Sequence, residues 1–336
     1  RKNQLKYHFD NNCGVCHQVM PEAGLIRPGM IVVATDSHTT THGAFGAMGT
    51  GCGATDMATS LMTGELWFRI PEIIEVRLGG ETKKGVYPKD VILAVLGKIR
   101  ADGAVYKAID FTGSYVDQLN VAGRMVICNM AVEMGAKTAY MQPNQAVLDY
   151  VDARAAGPWE AETTDPGYRY EESYVFDVSS LEPQLACPDS VENVHPLTEV
   201  TAEGPVKLDQ GYIGSCTGGR EEDIAAAASI LRGRHIPEYT RLVVVPASRE
   251  VMLSCMEKGY IQDLMEAGAT ITTPGCGACL GAHEGILAPG EVCISSTNRN
   301  FPGRMGSTEA RIYLASPAAV AASILNGRIT DPRIYL

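Results

Sequence analysis

The feature that most restricts the fold is an alternation of short apolar runs with helix-length segments in the last part of the chain. Tyr212 and Ile213 end one run, and a helical stretch follows over Arg220 to Arg234. Leu242 to Val245 precedes a helix over Ser248 to Lys258. Ala269 to Thr273 precedes a Gly/Cys turn and a further helix. Val292 to Ser295 and Arg311 to Ala315 complete the set, and Ser316-Pro317 opens a helix that stops at Gly327. Strands that alternate with helices of this length predict an α/β protein with a mostly parallel, doubly wound sheet.

In such a sheet, ligands collect beyond the carboxyl ends of the strands. Three marked segments fall at such ends: Gly214-Ser215-Cys216-Thr217-Gly218-Gly219, Pro274-Gly275-Cys276-Gly277-Ala278-Cys279 and Ser296-Thr297-Asn298-Arg299. The strand pattern alone therefore predicts three cysteines and an arginine on one edge. Three thiolates suit an iron–sulfur cluster. The glycines beside them let backbone N–H groups approach sulfur, and helix N-termini just after Cys216 and Cys276 would favour negative charge. A four-iron cluster on three cysteines leaves one iron open to act as a Lewis acid. Taken alone, Cys276-x-x-Cys279 serves equally well as a redox or zinc pair. Cys13-x-x-Cys16 is a second such pair, though its distance in sequence is unlike a compact zinc ribbon.

The cysteines also bear on environment. The chain has ten of them among 336 residues and no basic-then-apolar leader at its start. Reduced thiols in the cytoplasm are therefore expected rather than a disulfide framework. No apolar run reaches the length of a membrane span. The net charge is −11, from 28 basic and 39 acidic residues, which disfavours nucleic acid as a partner. The chain opens at Arg1 without a methionine and enters a motif almost at once, so a preceding piece is expected; Ile329-Thr330-Asp331-Pro332 reads as a natural end.

Three regions differ in texture, with divisions expected near residues 75 and 180: 1–75, 76–180 and 181–336. The first holds a short strand, Ile31 to Ala34, a Thr/Gly-rich turn and a small-residue helix; the strand Glu72 to Leu78 follows. The second has helices predicted over Pro88 to Arg100, Val121 to Gly135 and Asn144 to Ala155, with Asn144 as N-cap. Ala156 to Glu172 is rich in Gly, Pro and acids and reads as a surface loop. Asn129 and Glu133 lie four apart in an otherwise apolar helix, so they share a face. That face either meets solvent or finds a buried partner.

Four motifs occur in order along the chain: Thr35-Asp36-Ser37-His38-Thr39, Gly214-Ser215-Cys216-Thr217, Cys276-Gly277-Ala278-Cys279 and Asn298-Arg299-Asn300-Phe301-Pro302-Gly303-Arg304. Together they resemble the aconitase superfamily over nearly the whole chain. Gly43-Ala44-Phe45-Gly46-Ala47 and Glu65-Leu66-Trp67-Phe68 make it more similar to isopropylmalate dehydratase and homoaconitase large subunits than to single-chain aconitase.

The resemblance implies three-layer α/β/α domains without the swivel domain. It implies a 4Fe–4S cluster on Cys216, Cys276 and Cys279, and reversible dehydration of a hydroxy di- or tricarboxylic acid. It implies substrate contacts from Ser37, Asn129, Asn298, Arg299 and Arg304; a guanidinium grips a carboxylate through two hydrogen bonds. It implies catalytic roles for His17, Asp36, His38 and Glu133; we expect Glu133 to pair with His38 and Asp36 with His17. A histidine beside a carboxylate can be held charged and oriented to protonate a leaving hydroxyl. Two family features have no counterpart: an upstream Asp-His motif, and a serine base on the swivel domain, which in two-subunit members is a separate small subunit. The expected form is therefore a heterodimer or heterotetramer with that small subunit. Gly218 and Gly275 depart from an Asn and a Ser found in relatives, without loss of a sulfur ligand. Outside this class, a non-catalytic cluster protein, or a zinc scaffold on Cys13, Cys16, Cys276 and Cys279, stays open.

Overall fold

The computed structural model describes residues 5–161, 163–165 and 167–336. Strands β1 (Ile31–Ala34) and β2 (Met48–Gly51) form a parallel pair. Strands β3 (Ile73–Gly79), β4 (Ala108–Thr112), β5 (Thr138–Tyr140) and β6 (Glu172–Asp177) form a parallel sheet in the order β5-β4-β3-β6. Strands β7 (Gln184–Ala186), β8 (Val194–Pro196), β9 (Gln210–Gly214), β10 (Arg241–Val245), β11 (Thr270–Ile271), β12 (Val292–Ser295) and β13 (Arg311–Leu314) form the third sheet, ordered β11-β10-β9-β12-β13-β7-β8. Its first five strands are parallel, as the alternation predicted, and β7 and β8 add antiparallel at one edge.

The elements form for local reasons. Helix Pro88–Ile99 starts with proline in its first turn, and Asp90 closes a capping box on Tyr87. Asn144 caps Gln145–Asp152 by accepting from Val147 N–H. Helix Val121–Asn129 tightens into a 3₁₀ turn, Met130–Met134, and stops at Gly135 in the left-handed region. Helix Pro317–Asn326 ends the same way at Gly327.

Four expectations change. Strand β6, which no reading predicted, begins at Glu172, the last residue of the stretch read as loop, and pairs with β3 over six positions. Most of its side chains are exposed, and only Tyr174 and Phe176 of its apolar run pack against the core. Strand β11 is only two residues long. The turn after it leads into a 3₁₀ segment, Gly277–Leu280, rather than a helix. Cys216 sits inside a short helix, Ser215–Gly218, and the longer helix begins only at Glu221. Helix dipoles therefore do not serve the cysteines as predicted.

Phe45, Ile74, Leu93, Ile109 and Ile127 belong to one buried cluster, so the chain on both sides of residue 75 shares a core. A second cluster, with Ile213, Ile224, Leu242, Val244, Ile294 and Ile324, lies on the third sheet. Each such side chain contributes about 1.5–3 kcal/mol by leaving water. Close approach joins the 3₁₀ segment Ser37–Phe45 to the second sheet. A Cβ on Gly43 would stand 2.1 Å from the Ala139 carbonyl, so only glycine fits. Among the described residues no helix is long and apolar enough to cross a membrane.

Candidate active site

The carboxyl ends of β9 and β12, together with the turn beyond β11, point to one cavity of about 260 Å³. Cys216, Cys276 and Cys279 line it, and so do His17, Asp36, His38, Asn298 and Arg304. Cys216 is thus carried to the Cys276–Cys279 pair from a distant part of the sequence. All three are free thiols. Burial and the other two cysteines push the Cys216 thiol up, and burial with Cys279 brings Cys276 to about 12. Thiols crowded in this way gain from a positively charged metal centre that holds them as thiolates.

Side-chain amides serve the sulfur where helix ends do not. Asn129 Nδ2 donates to Cys216 Sγ at 3.1 Å, and Asn298 Nδ2 approaches the same sulfur at 3.5 Å. Among the described residues no three His, Cys, Asp or Glu side chains converge tightly enough for a single metal ion. The cysteines stand around a void instead, which fits a multi-iron cluster. It gives no support to a zinc site on the two C-x-x-C pairs. Gly218 also finds its reason: a Cβ there would meet Ser296 Oγ at 2.2 Å, so Ser296 leaves no room for a side chain.

Two imidazole–carboxylate pairs meet here: His17, Asp36 and His38 line the cavity, and Glu133 stands behind His38. His17 Nε2 lies 3.0 Å from Asp36 Oδ1, and His38 Nε2 lies 2.7 Å from Glu133 Oε1. Asp36 is the N-cap of Ser37–Phe45, and its Oδ1 also accepts from His38 N–H at 2.8 Å. Burial alone would lower the His17 pKa, but the bonds to Asp36 and to the Cys16 thiol outweigh it and raise it to about 9. Hydrogen bonds from His17 and then His38 hold Asp36 well below the usual carboxylate range. Burial pushes Glu133 up, yet His38 and Arg299 keep it below its ordinary value. His17 therefore carries a proton at neutral pH, and both carboxylates are ionised.

The remaining expected residues divide. Arg304 lines the cavity, and its buried Nε has no hydrogen-bond partner among the described residues. A buried unpaired guanidinium N–H suits an anionic ligand. Asn298 also faces the cavity. Arg299 does not present an open fork: its Nε donates to both oxygens of Glu133, at 2.9 and 3.0 Å, and its Nη2 donates to Ser37 Oγ at 3.0 Å. Ser37 lines a neighbouring cavity of about 670 Å³ with Cys52 and Lys137. Asn129 is completely buried behind Cys216, where Nδ2 also bonds Thr41 Oγ1 and Oδ1 accepts from Asn298. It orients sulfur here rather than lining the cavity.

Sequence reasoning passed over Ser215 and Leu280, which line the cavity, and gave Cys16, which lines it too, only a place in the C-x-x-C pair. Cys16 had a signal in its contact with His17 along the chain. It also passed over two buried cations behind the site, Lys89 and Arg220. Arg220 donates to the carbonyls of Cys216 and Thr217 and to Gln18 Oε1. No pattern of spacing marks a cation that will be buried by distant segments.

Comparison with known proteins gives the family of the chain. The model of the aconitase family (aconitate hydratase) matches residues 1–327. The chain is 52% identical over 332 residues to the 3-isopropylmalate dehydratase large subunit 1 of Methanopyrus kandleri, across 99% of this chain and 79% of that one. It is 51% identical over 325 residues to the probable methanogen homoaconitase large subunit of Methanothermobacter thermautotrophicus, across 97% and 75%. It is 43% identical over 337 residues to the 3-isopropylmalate dehydratase large subunit of Aquifex aeolicus, across 99% and 77%.

Proposed function

This chain belongs to the aconitase family, and from that premise we propose that it is the large subunit of an iron–sulfur hydro-lyase of the 3-isopropylmalate dehydratase type. The reaction interconverts 2- and 3-isopropylmalate by loss and return of water, a step of leucine biosynthesis in the cytoplasm. The observation that carries the reading is the single cavity lined by Cys216, Cys276, Cys279, the His17–Asp36 pair, His38 and Arg304, with Glu133 bonded to His38.

Cys216, Cys276 and Cys279 would hold a 4Fe–4S cluster. When bound, such a cluster supplies an open iron that acts as a Lewis acid toward the hydroxyl and a carboxylate of the substrate. The chain's own residues do the rest. Arg304 attracts a carboxylate through its unpaired N–H. Asn298 adds an amide donor at the cavity wall. His17, protonated up to about pH 9, holds a proton that can meet a departing hydroxyl. Asp36 fixes the orientation of that ring, and Glu133 fixes that of His38. Arg299 holds Glu133 in place and keeps it ionised. The base that removes the carbon-bound proton is expected on a small subunit, which also closes the cavity against water.

The reading is tested by pairing the chain with its small subunit after anaerobic reconstitution. About four irons and four sulfides per chain, with hydration of isopropylmaleate, support it. Zinc without sulfide would end it. The identity with a homoaconitase large subunit favours one second reading, the same chemistry on homoaconitate. Turnover of that acid in preference to isopropylmalate would select it.

A further inference from the structure

Lys89 stands where a lysine is costly. It lies in the first turn of helix Pro88–Ile99, at the positive end of the helix dipole, and is only 3% exposed. Burial lowers its pKa to about 8, against a partial pull upward from Asp223. A hydrophobic side chain of similar size would fill the space at no such cost. Core packing alone does not ask for an ammonium here.

The ammonium has a specific employment. Its Nζ donates to the Ser296 carbonyl at 3.1 Å and to the Thr297 carbonyl at 2.5 Å. These two peptides leave β12 and lead directly into Asn298 and Arg299. The same turn is pinned from the strand side, where Gly214 N–H donates to Ser296 Oγ at 3.0 Å and Thr297 N–H to Ser295 Oγ at 3.1 Å. Lys89 supplies the remaining restraint from the helix side. The peptide planes set in this way decide where the next two side chains point.

We propose that Lys89 is a positioning residue for substrate recognition: its buried ammonium locks the Ser296–Thr297 peptides so that Asn298 is held at the cavity wall for the hydroxy acid and Arg299 is held on Glu133 and Ser37. It also adds a fixed positive charge behind a site that must accept a polyanion among thiolates and carboxylates. The inference rests on the functional reading above.

The test uses Lys89→Met and Lys89→Arg in the reconstituted complex with the small subunit. Iron and sulfide content, melting temperature, kcat, KM and the substrate-induced change in the electron paramagnetic resonance of the reduced cluster are measured. The expected result for Lys89→Met is full iron and sulfide and an undiminished melting temperature. Its KM rises tenfold or more, with a smaller change in kcat. The substrate concentration giving half of the spectral change rises by a similar factor, and Lys89→Arg recovers part of both. Unchanged KM with full iron overturns the proposal, as does loss of iron with normal KM in the enzyme that remains. If Lys89→Met fails to fold, Lys89→Gln is measured in its place, and failure of both to fold makes the lysine a scaffold residue and overturns the proposal. A wild-type complex that holds no cluster and hydrates no malate derivative instead refutes the functional reading, and this proposal falls with it.

Discussion

His38 and Glu133 stand 95 positions apart in sequence, yet His38 Nε2 and Glu133 Oε1 are 2.7 Å from each other. The carboxylate is also held by Arg299 Nε. One buried anion thus fixes an imidazole from the first part of the chain and a guanidinium from the third.

Glu133→Gln keeps the shape and removes the charge. Iron and sulfide content should be unchanged, because Glu133 bonds His38 and Arg299, neither of them a cysteine. Turnover should fall about 100-fold or more, the range for losing a positioned acid–base group. Metal analysis beside steady-state kinetics checks this, and loss of the cluster would instead make Glu133 a scaffold residue.

The His17–Asp36 pair predicts a particular dependence on pH. Folding raises the His17 pKa from 6.5 to about 9, so its contribution to stability is complete below pH 6.5 and is lost as pH rises through about 9. Asp36 is depressed from 3.8, so its contribution is present above that value and is lost as pH falls toward its lower folded pKa. Asp36→Asn removes the main partner and leaves burial, the largest single influence on His17, in command. The His17 titration followed by NMR should then move from about 9 toward 6.5 or lower. A midpoint that stays put would transfer the effect to Cys16.

Serine in place of Cys216, Cys276 or Cys279 should each abolish full iron loading. Serine at Cys52 or Cys13 should leave about four irons per chain, because neither lines the cavity. Anaerobic iron and sulfide assays decide it; a Cys13 variant that loses metal would restore the two-pair zinc arrangement.

Arg124 is fully buried and donates to the carbonyls of Ala44 at 3.1 Å, Val116 at 3.1 Å and Gln142 at 2.6 Å. It anchors the end of the segment that carries His38. Arg124→Met leaves three carbonyls without that donor, and unsatisfied buried groups cost about 1–3 kcal/mol each. Chemical denaturation should show a loss of about 3 kcal/mol or more. A loss below about 1 kcal/mol would mean that the site relaxes around the methionine.

How much of this was legible depends on the range of each interaction. The parallel order of β9, β10, β12 and β13 followed from alternation along the chain, because helix and strand periods are local. The caps at Asn144 and Gly327 were equally local. Strand β6 has a narrow apolar face, Tyr174 and Phe176, and its six-position pairing with β3, a segment nearly a hundred residues earlier, is what completes it. The expected helix after Cys276 failed because glycines at 277 and 281 adopt left-handed backbone, which closes a short turn.

The sequence by itself determined the alternating α/β pattern, the family motifs and the placement of three cysteine-bearing or arginine-bearing turns at strand ends, since each depends on residues near one another. Only the tertiary structure decided that Asn129 serves the Cys216 sulfur, that Arg299 holds Glu133, and that Lys89 is buried under the turn before Asn298. Those roles arise where segments from different sheets meet, and a side chain's partners there are set by packing in space rather than by spacing along the chain.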